Sequence, residues 1–158
     1  MSEPGAHAPV VVELTADQTH PLRLAVLRFD TPTKDVVFPE DDWPGVRHLG
    51  LRVGNQLVAV SSWVPRPRPT SHGGFDGEQA VQLRGMATLR MVQGQGYGGL
   101  LLEAGCTRML TAGTPLVWAR ARDAALAFYL RHGFEVVGEG FVDANTQLPH
   151  HLIVRRLE

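Results

Sequence analysis

The stretch that most constrains this chain is residues 81–102, VQLRGMATLRMVQGQGYGGLLL, where a run of β-forming residues meets a glycine cluster and then apolar residues at helical spacing. Its order is a strand over 81–89, a loop, and a helix over 100–110. Glycines at 94, 96, 98 and 99 give the backbone turns that other residues avoid and remove side chains that would block a close ligand. The unpaired N–H groups that open the following helix, with the positive end of its dipole, complete a site for an anion such as a pyrophosphate. Such a site depends on backbone rather than on lysine or arginine.

Two patterns fit these letters. One is G-x-G-x-x-G through Gly94, Gly96 and Gly99, the dinucleotide fingerprint. The other is Q/R-x-x-G-x-G/A through Gln93, Gly96 and Gly98, and here the segment resembles the coenzyme A loop of the GNAT family of N-acetyltransferases. Position favours the second, because a Rossmann unit puts its fingerprint near the start of a nucleotide domain, with several βα units after it. The next strand ends Trp118-Ala119-Arg120-Ala121-Arg122, without the acidic residue that binds a ribose hydroxyl. Arg120 or Arg122 would suit a 2′-phosphate, so an NADP-dependent oxidoreductase stays open as a reading.

At 158 residues and 44% hydrophobic content the chain can bury one substantial core, and a single domain over 10–158 behind a frayed segment 1–9 is the natural division. Fifteen basic against sixteen acidic residues give a formal charge of -1, which is not the footprint of a nucleic-acid binder. Cys106 is the single cysteine, so no internal disulfide forms and no CxxC holds zinc; no metal is expected. There is no leading basic segment followed by an apolar stretch and no apolar run long enough for a bilayer, so the expectation is a cytoplasmic protein that does not enter the membrane.

Along the chain, residues 10–14 read as a first strand, and Thr19 reads as the cap of a helix with Pro21 in its first turn. Residues 31–45 read as loop, with the acidic run Glu40-Asp41-Asp42 solvated or, alternatively, favouring a cationic amine. The alternation at Arg47, Leu49, Leu51 and Val53, the turn Gly54-Asn55 and the return over 57–64 predict a hairpin. The PRPRP run at 65–69 reads as a hairpin connection, with an SH3-type ligand as the other reading. The helix after the glycines places Leu102, Cys106, Met109 and Leu110 on one face, which makes Cys106 a core residue rather than a nucleophile. Asp123 is expected to cap a helix with the stripe Leu126, Tyr129 and Leu130, followed by strands over 134–137 and 152–157.

Phe128-Tyr129, a three-residue spacer and Gly133-Phe134 form a second motif, F/L-Y-x-x-x-G-F, which is similar to the end of the fourth helix of GNAT enzymes. The two motifs together imply an α/β fold (α+β in arrangement), a mixed, mostly antiparallel sheet flanked by helices, with acetyl-CoA as cofactor. The tail from Phe141 to Arg155 resembles a lesser-known bacterial branch of that family. By this resemblance a bulge in the strand opens a groove, Met86, Ala87, Thr88 and Leu89 border the acetyl group, and Gln93, Gly94, Gln95, Gly96, Tyr97, Gly98 and Gly99 hold the pyrophosphate. Tyr129 stands where the family places a general acid for the departing thiolate, and a phenol near pKa 10 beside a thiol near 8.5 makes that transfer useful. The alternative for Tyr129 is packing beside Leu126 and Leu130 with a hydrogen bond to the sulfur.

His72, Glu78, His150 and His151 are titratable candidates for the base that deprotonates the amine; each also reads as a surface residue, and water serves as well. Phe38 and Trp43 either line an acceptor pocket or anchor their loop. The expected activity is acetyl transfer from acetyl-CoA to a primary amine of unspecified identity by direct attack in a ternary complex, because the only thiol is on a buried face. A non-catalytic acyl-CoA-binding module is the rival. Family members are often homodimers, and pairing of an exposed final strand is the assembly this would use.

Overall fold

The computed structural model describes residues 7–70 and 73–158. The segment after strand β1 (Val10–Leu14) is helical from Ala16 to Leu22 (α1) and continues as a π-helical turn over Arg23–Leu27. Its cap is Thr15, not Thr19. The Thr15 N–H donates to the Gln18 side-chain oxygen at 2.8 Å, while the Thr19 hydroxyl donates back to the Ala16 carbonyl at 2.6 Å. Thr15-x-x-Gln18 is a capping signature, and Pro21, placed inside the helix rather than in its first turn, removes an N–H just before the backbone widens into the π turn.

The predicted hairpin is β2 (Arg47–Val53) and β3 (Gln56–Pro65), turning at Gly54-Asn55. β4 (Val81–Thr88) pairs with β3, and a short 3-10 turn at Arg90–Val92 leads to α2 (Tyr97–Thr111). β5 (Leu116–Arg122), a 3-10 turn at Asp123–Ala125, α3 (Leu126–Arg131), β6 (Glu135–Val142) and β7 (Pro149–Arg156) complete the chain. The sheet order is β1-β2-β3-β4-β5-β7-β6, and every pairing is antiparallel except β4 with β5. A single parallel pair is not the doubly wound parallel sheet that a Rossmann dinucleotide site requires, which removes the physical basis of the oxidoreductase reading. β7 lies between β5 and β6, so the final strand is not a free edge; β1 and β6 are. The connection after β3 is a loop with one bridge, Pro69 to Phe75, held where Trp118 Nε1 donates to the Arg66 carbonyl at 2.8 Å.

The main core lies between α2 and the sheet, where Leu101, Leu102 and Cys106 meet Leu49, Leu51, Trp63, Leu83 and Ile153. Full burial of a leucine side chain is worth about 1.5–3 kcal/mol, and Leu101 and Leu102 are both fully buried. Gly105 lies flat on the Trp63 indole, so any Cβ there would enter the ring. Leu110 and Leu130, expected on buried stripes, are 40% and 50% exposed, because the two helices turn those positions past the edge of the sheet. On the opposite face Leu22, Val60 and Ala87 form a second cluster that also takes in Leu89. No helix among the described residues is long and apolar enough to cross a membrane.

Candidate active site

The sheet is opened by β4. Val60 pairs with Ala87 and Ser62 with Arg84, so Gly85 and Met86 stand opposite the single residue Ser61 in a β-bulge. Gly85 has φ +60°, and a Cβ there would lie 3.1 Å from both Arg23 Nε and Phe38 Cε2. Glycine therefore satisfies both the left-handed backbone and the close packing. β4 pairs with β5 only at Val81–Val117 and Gln82–Trp118, beyond which no further pairing links the two strands. Two cavities occupy this opening and share Leu27, Met86, Arg122, Ala125 and Tyr129.

The first cavity is a groove of about 890 Å³. Met86, Ala87 and Thr88 border it from β4, Gln93, Gly94, Gly96, Tyr97, Gly98 and Gly99 from the loop and the start of α2, and Tyr129 from α3. Leu89 and Gln95 do not line it: the Leu89 side chain packs into the second cluster while its N–H donates to the Val58 carbonyl at 2.7 Å, and Gln95 is exposed at the outer side of the loop. The first bond of α2 runs from the Leu100 N–H to the Gly96 carbonyl at 3.0 Å, leaving the N–H groups of Tyr97, Gly98 and Gly99 without acceptors inside the helix. Gln93 Nε2 donates to the Thr88 carbonyl at 2.9 Å and ties the loop to the end of β4. A Cβ on Gly98 would lie 3.0 Å from Thr88 Oγ1, and one on Gly99 2.8 Å from His132 Nε2. These residues form a backbone cradle of the kind that holds a diphosphate, continuous with a wall suited to an extended arm.

Arg90, Glu103, Arg131 and His132 also line the groove. Glu103 accepts from His132 Nδ1 at 2.7 Å and from both terminal nitrogens of Arg155 at 2.9 and 3.0 Å. Its link to β7 spans most of the chain's second half, which helical spacing does not reveal.

Tyr129 is buried and meets Phe128 and Phe134 edge-on, with centroids 5.1 and 5.4 Å away. Burial pushes its phenol above the ordinary range, so the hydroxyl keeps its proton and cannot serve as the base. The phenol thus stands above the ordinary value near 10 on which the sequence reading relied. Cys106 lies in the core, where burial pushes its thiol up to about 11. A nucleophilic role is thereby disfavoured.

The second cavity, about 420 Å³, is lined by Arg28, Phe38, Gln82, Arg84, Arg120, Arg122, Phe141, Asp143 and His150 among others. Its floor rests on a buried network: Arg23, fully buried, donates to both carboxylate oxygens of Asp41 at 2.8 and 2.9 Å, to Ser62 Oγ at 2.8 Å and to the Val36 carbonyl at 2.7 Å. The guanidinium groups of Arg23 and Arg84 lie over the Phe38 ring at 3.8 and 4.3 Å. Burial pushes the Asp41 carboxyl up, but the bonds from Arg23 and from the Phe38 N–H outweigh it and hold the group below its ordinary range. Glu40 is buried too and pairs with Arg84. The acidic run is therefore largely internal scaffolding, not a solvated loop, while Trp43 is 41% exposed under Arg66.

Of the candidate bases, His150 alone lines this cavity among the described residues. It is buried, stacks on Phe141, and its Nδ1 lies 2.9 Å from the Leu148 carbonyl. A carbonyl only accepts, so Nδ1 carries a hydrogen and is the donor in this contact. His151 is held by Asp123 at 2.6 Å, which also explains why Asp123 does not cap α3, and Glu78 is paired with Arg156 at 2.7 Å. His72 lies outside the described residues. No group of three or more His, Cys, Asp and Glu side chains suited to a metal is gathered among the described residues.

A family model for the acetyltransferase (GNAT) family matches residues 14–134. The chain is 28% identical over 131 residues to an uncharacterized N-acetyltransferase, YitI, of Bacillus subtilis (strain 168), covering 83% of this chain and 85% of that protein. A putative N-acetyltransferase from Lactobacillus plantarum has a similar structure, with a TM-score of 0.76 at 17% identity, over 96% of this chain and 99% of that one. An acyl-CoA N-acyltransferase from Pseudomonas aeruginosa gives 0.71 at 22% identity, over 94% and 99%. With the split sheet and the glycine cradle already in place, the match over most of the chain leads to one conclusion: this protein belongs to the acetyltransferase (GNAT) family.

Proposed function

We propose that the protein transfers an acetyl group from acetyl-CoA to a primary amine by direct attack in a ternary complex. The observation that carries this reading is the junction of two cavities at Met86, Arg122 and Tyr129. One cavity suits the coenzyme, and the other leaves room for an acceptor. Acetyl-CoA would supply an activated thioester, with its diphosphate on the backbone N–H groups of 97–99. The edge of β4 released from β5 offers backbone donors to the pantetheine arm and to the carbonyl oxygen as charge develops.

Tyr129 donates a hydrogen bond to the leaving sulfur. His150 accepts the proton that the ammonium must lose before it can attack, directly or through cavity water. The buried Cys106 supports attack without an acyl-enzyme. A donor made inside cells and a lone reduced cysteine favour a cytoplasmic setting.

The test is thiol release from acetyl-CoA against a panel of amines, alongside calorimetric binding of CoA. Amine-dependent release is the expected result, with kcat in Tyr129→Phe reduced about a hundredfold. Tight CoA binding without release for any amine would instead support a non-catalytic binding module.

A further inference from the structure

The second cavity has a charge that the transfer reaction does not need. The chain as a whole carries a formal charge of -1, yet Arg28, Arg84, Arg120 and Arg122 converge here from the end of the first helix, β4 and β5. Glu40 pairs with Arg84, but among the described residues Arg28, Arg120 and Arg122 have no carboxylate within 4.0 Å. Arg28 donates to the Asp35 and Leu27 carbonyls at 3.0 and 3.3 Å, and Arg122 to the Leu27 carbonyl at 2.5 Å. Those bonds orient the guanidinium groups without neutralising them. Among the described residues the only carboxylate lining the cavity is Asp143, and its Oδ2 already accepts from the Asn145 and Thr146 N–H groups and the Thr146 hydroxyl.

Asp143 acts on all four arginines and Asp30 on Arg122 from beyond contact distance, but guanidinium groups crowded together, three of them with no carboxylate in contact, repel one another, and an incoming oxyanion relieves that cost. The guanidinium fork also matches carboxylate or phosphate oxygens. Burial, then the charges of Arg23, Arg120 and Arg28, push Arg84 down to about 10, as expected where like charges are crowded. A volume of about 420 Å³ suits a metabolite-sized molecule.

Building on the transferase reading, we infer that the acceptor is a small acidic amine, whose carboxylate or phosphate is held by Arg28, Arg120 and Arg122 while its nitrogen reaches the junction beside Met86. This has the opposite sign to the cationic amine that the acidic run in the sequence suggests.

The experiment is calorimetry on CoA-loaded protein with L-glutamate, L-glutamine, L-glutamine amide, phosphoethanolamine and putrescine. Affinity is expected to fall at least about tenfold from an acidic probe to L-glutamine amide, through loss of a charge-assisted hydrogen bond. L-glutamate binding more tightly than phosphoethanolamine identifies a carboxylate site, and the reverse a phosphate site. Arg120→Gln should shrink the preference of the better acidic probe over the amide about tenfold, while Arg120→Lys retains most of it. Arg120 is exposed, so both variants should keep the parent melting temperature.

Putrescine or the amide binding as well as the acidic probes overturns the inference, as does failure of every probe to bind. The transferase reading fails separately, by absence of CoA binding or of thiol release with any amine.

Discussion

The two halves of the site are built on opposite plans. The first cavity has a cradle of glycine, backbone N–H groups and the start of a helix, with little side chain around Gly94 and Gly96. The second cavity is side chain throughout, with arginines from three elements around Phe38, Asp143 and His150. A backbone cradle would grip a diphosphate through groups that every residue type carries, so it says little about the rest of the ligand. A wall of side chains can be changed residue by residue, so on the proposed function it is the part that would set acceptor choice. Bulged β4 serves both plans at once: Gly85 packs on Phe38 behind the second cavity, and Met86 faces the junction.

The comparison is broken most severely by Gly98→Asp. Its Cβ would press on Thr88 Oγ1 and its charge would stand in the anion cradle, so CoA affinity should drop more than about a hundredfold by calorimetry, from lost charge-assisted bonds together with repulsion. Asp41→Asn attacks the scaffold of the other cavity. Loss of one partner from a buried ion pair typically destabilises by about 3–5 kcal/mol, to be read from urea unfolding.

The pH dependence of that pair has a defined sign. The Asp41 carboxyl lies lower in the folded protein than its ordinary 3.8, so the stabilisation is complete above 3.8 and is lost as pH falls through the folded-state value. Asp41→Asn should lack this acid-side component. The smallest effect sharpens the assignment of the base: His150→Gln should lower kcat/KM about tenfold or more, and an unchanged kcat/KM would point to water acting alone.

The difference in plan also explains what could be read from the letters. The cradle side of the groove is contiguous over residues 86–99, because a strand, a tight loop and a helix start need neighbours in sequence, whereas the facing side comes from 26–30 and 122–132. Even there, Leu89 and Gln95 do not line the cavity: Leu89 packs into the second cluster and Gln95 is exposed. The second cavity joins Arg28, Arg84, Arg120, Asp143 and His150, which only the seven-strand topology brings together. Arg120 and Arg122 were noticed in the sequence, but as a phosphate site for a different coenzyme. Glu40 and Asp41 looked solvated because their partners, Arg84 and Arg23, are 44 and 18 positions away. One further local signal is legible in the letters: Thr15-x-x-Gln18 marks the start of the first helix.

The most direct test of the division between the halves is a titration followed by NMR of backbone amides and arginine side chains, first with CoA and then with L-glutamate. CoA should shift the amides of residues 94–99 and Tyr129 and leave Arg120 Nε in place, whereas L-glutamate should then shift the Nε signals of Arg28, Arg120 and Arg122. Coenzyme shifts centred on the arginines, with the glycine amides unmoved, would contradict the account.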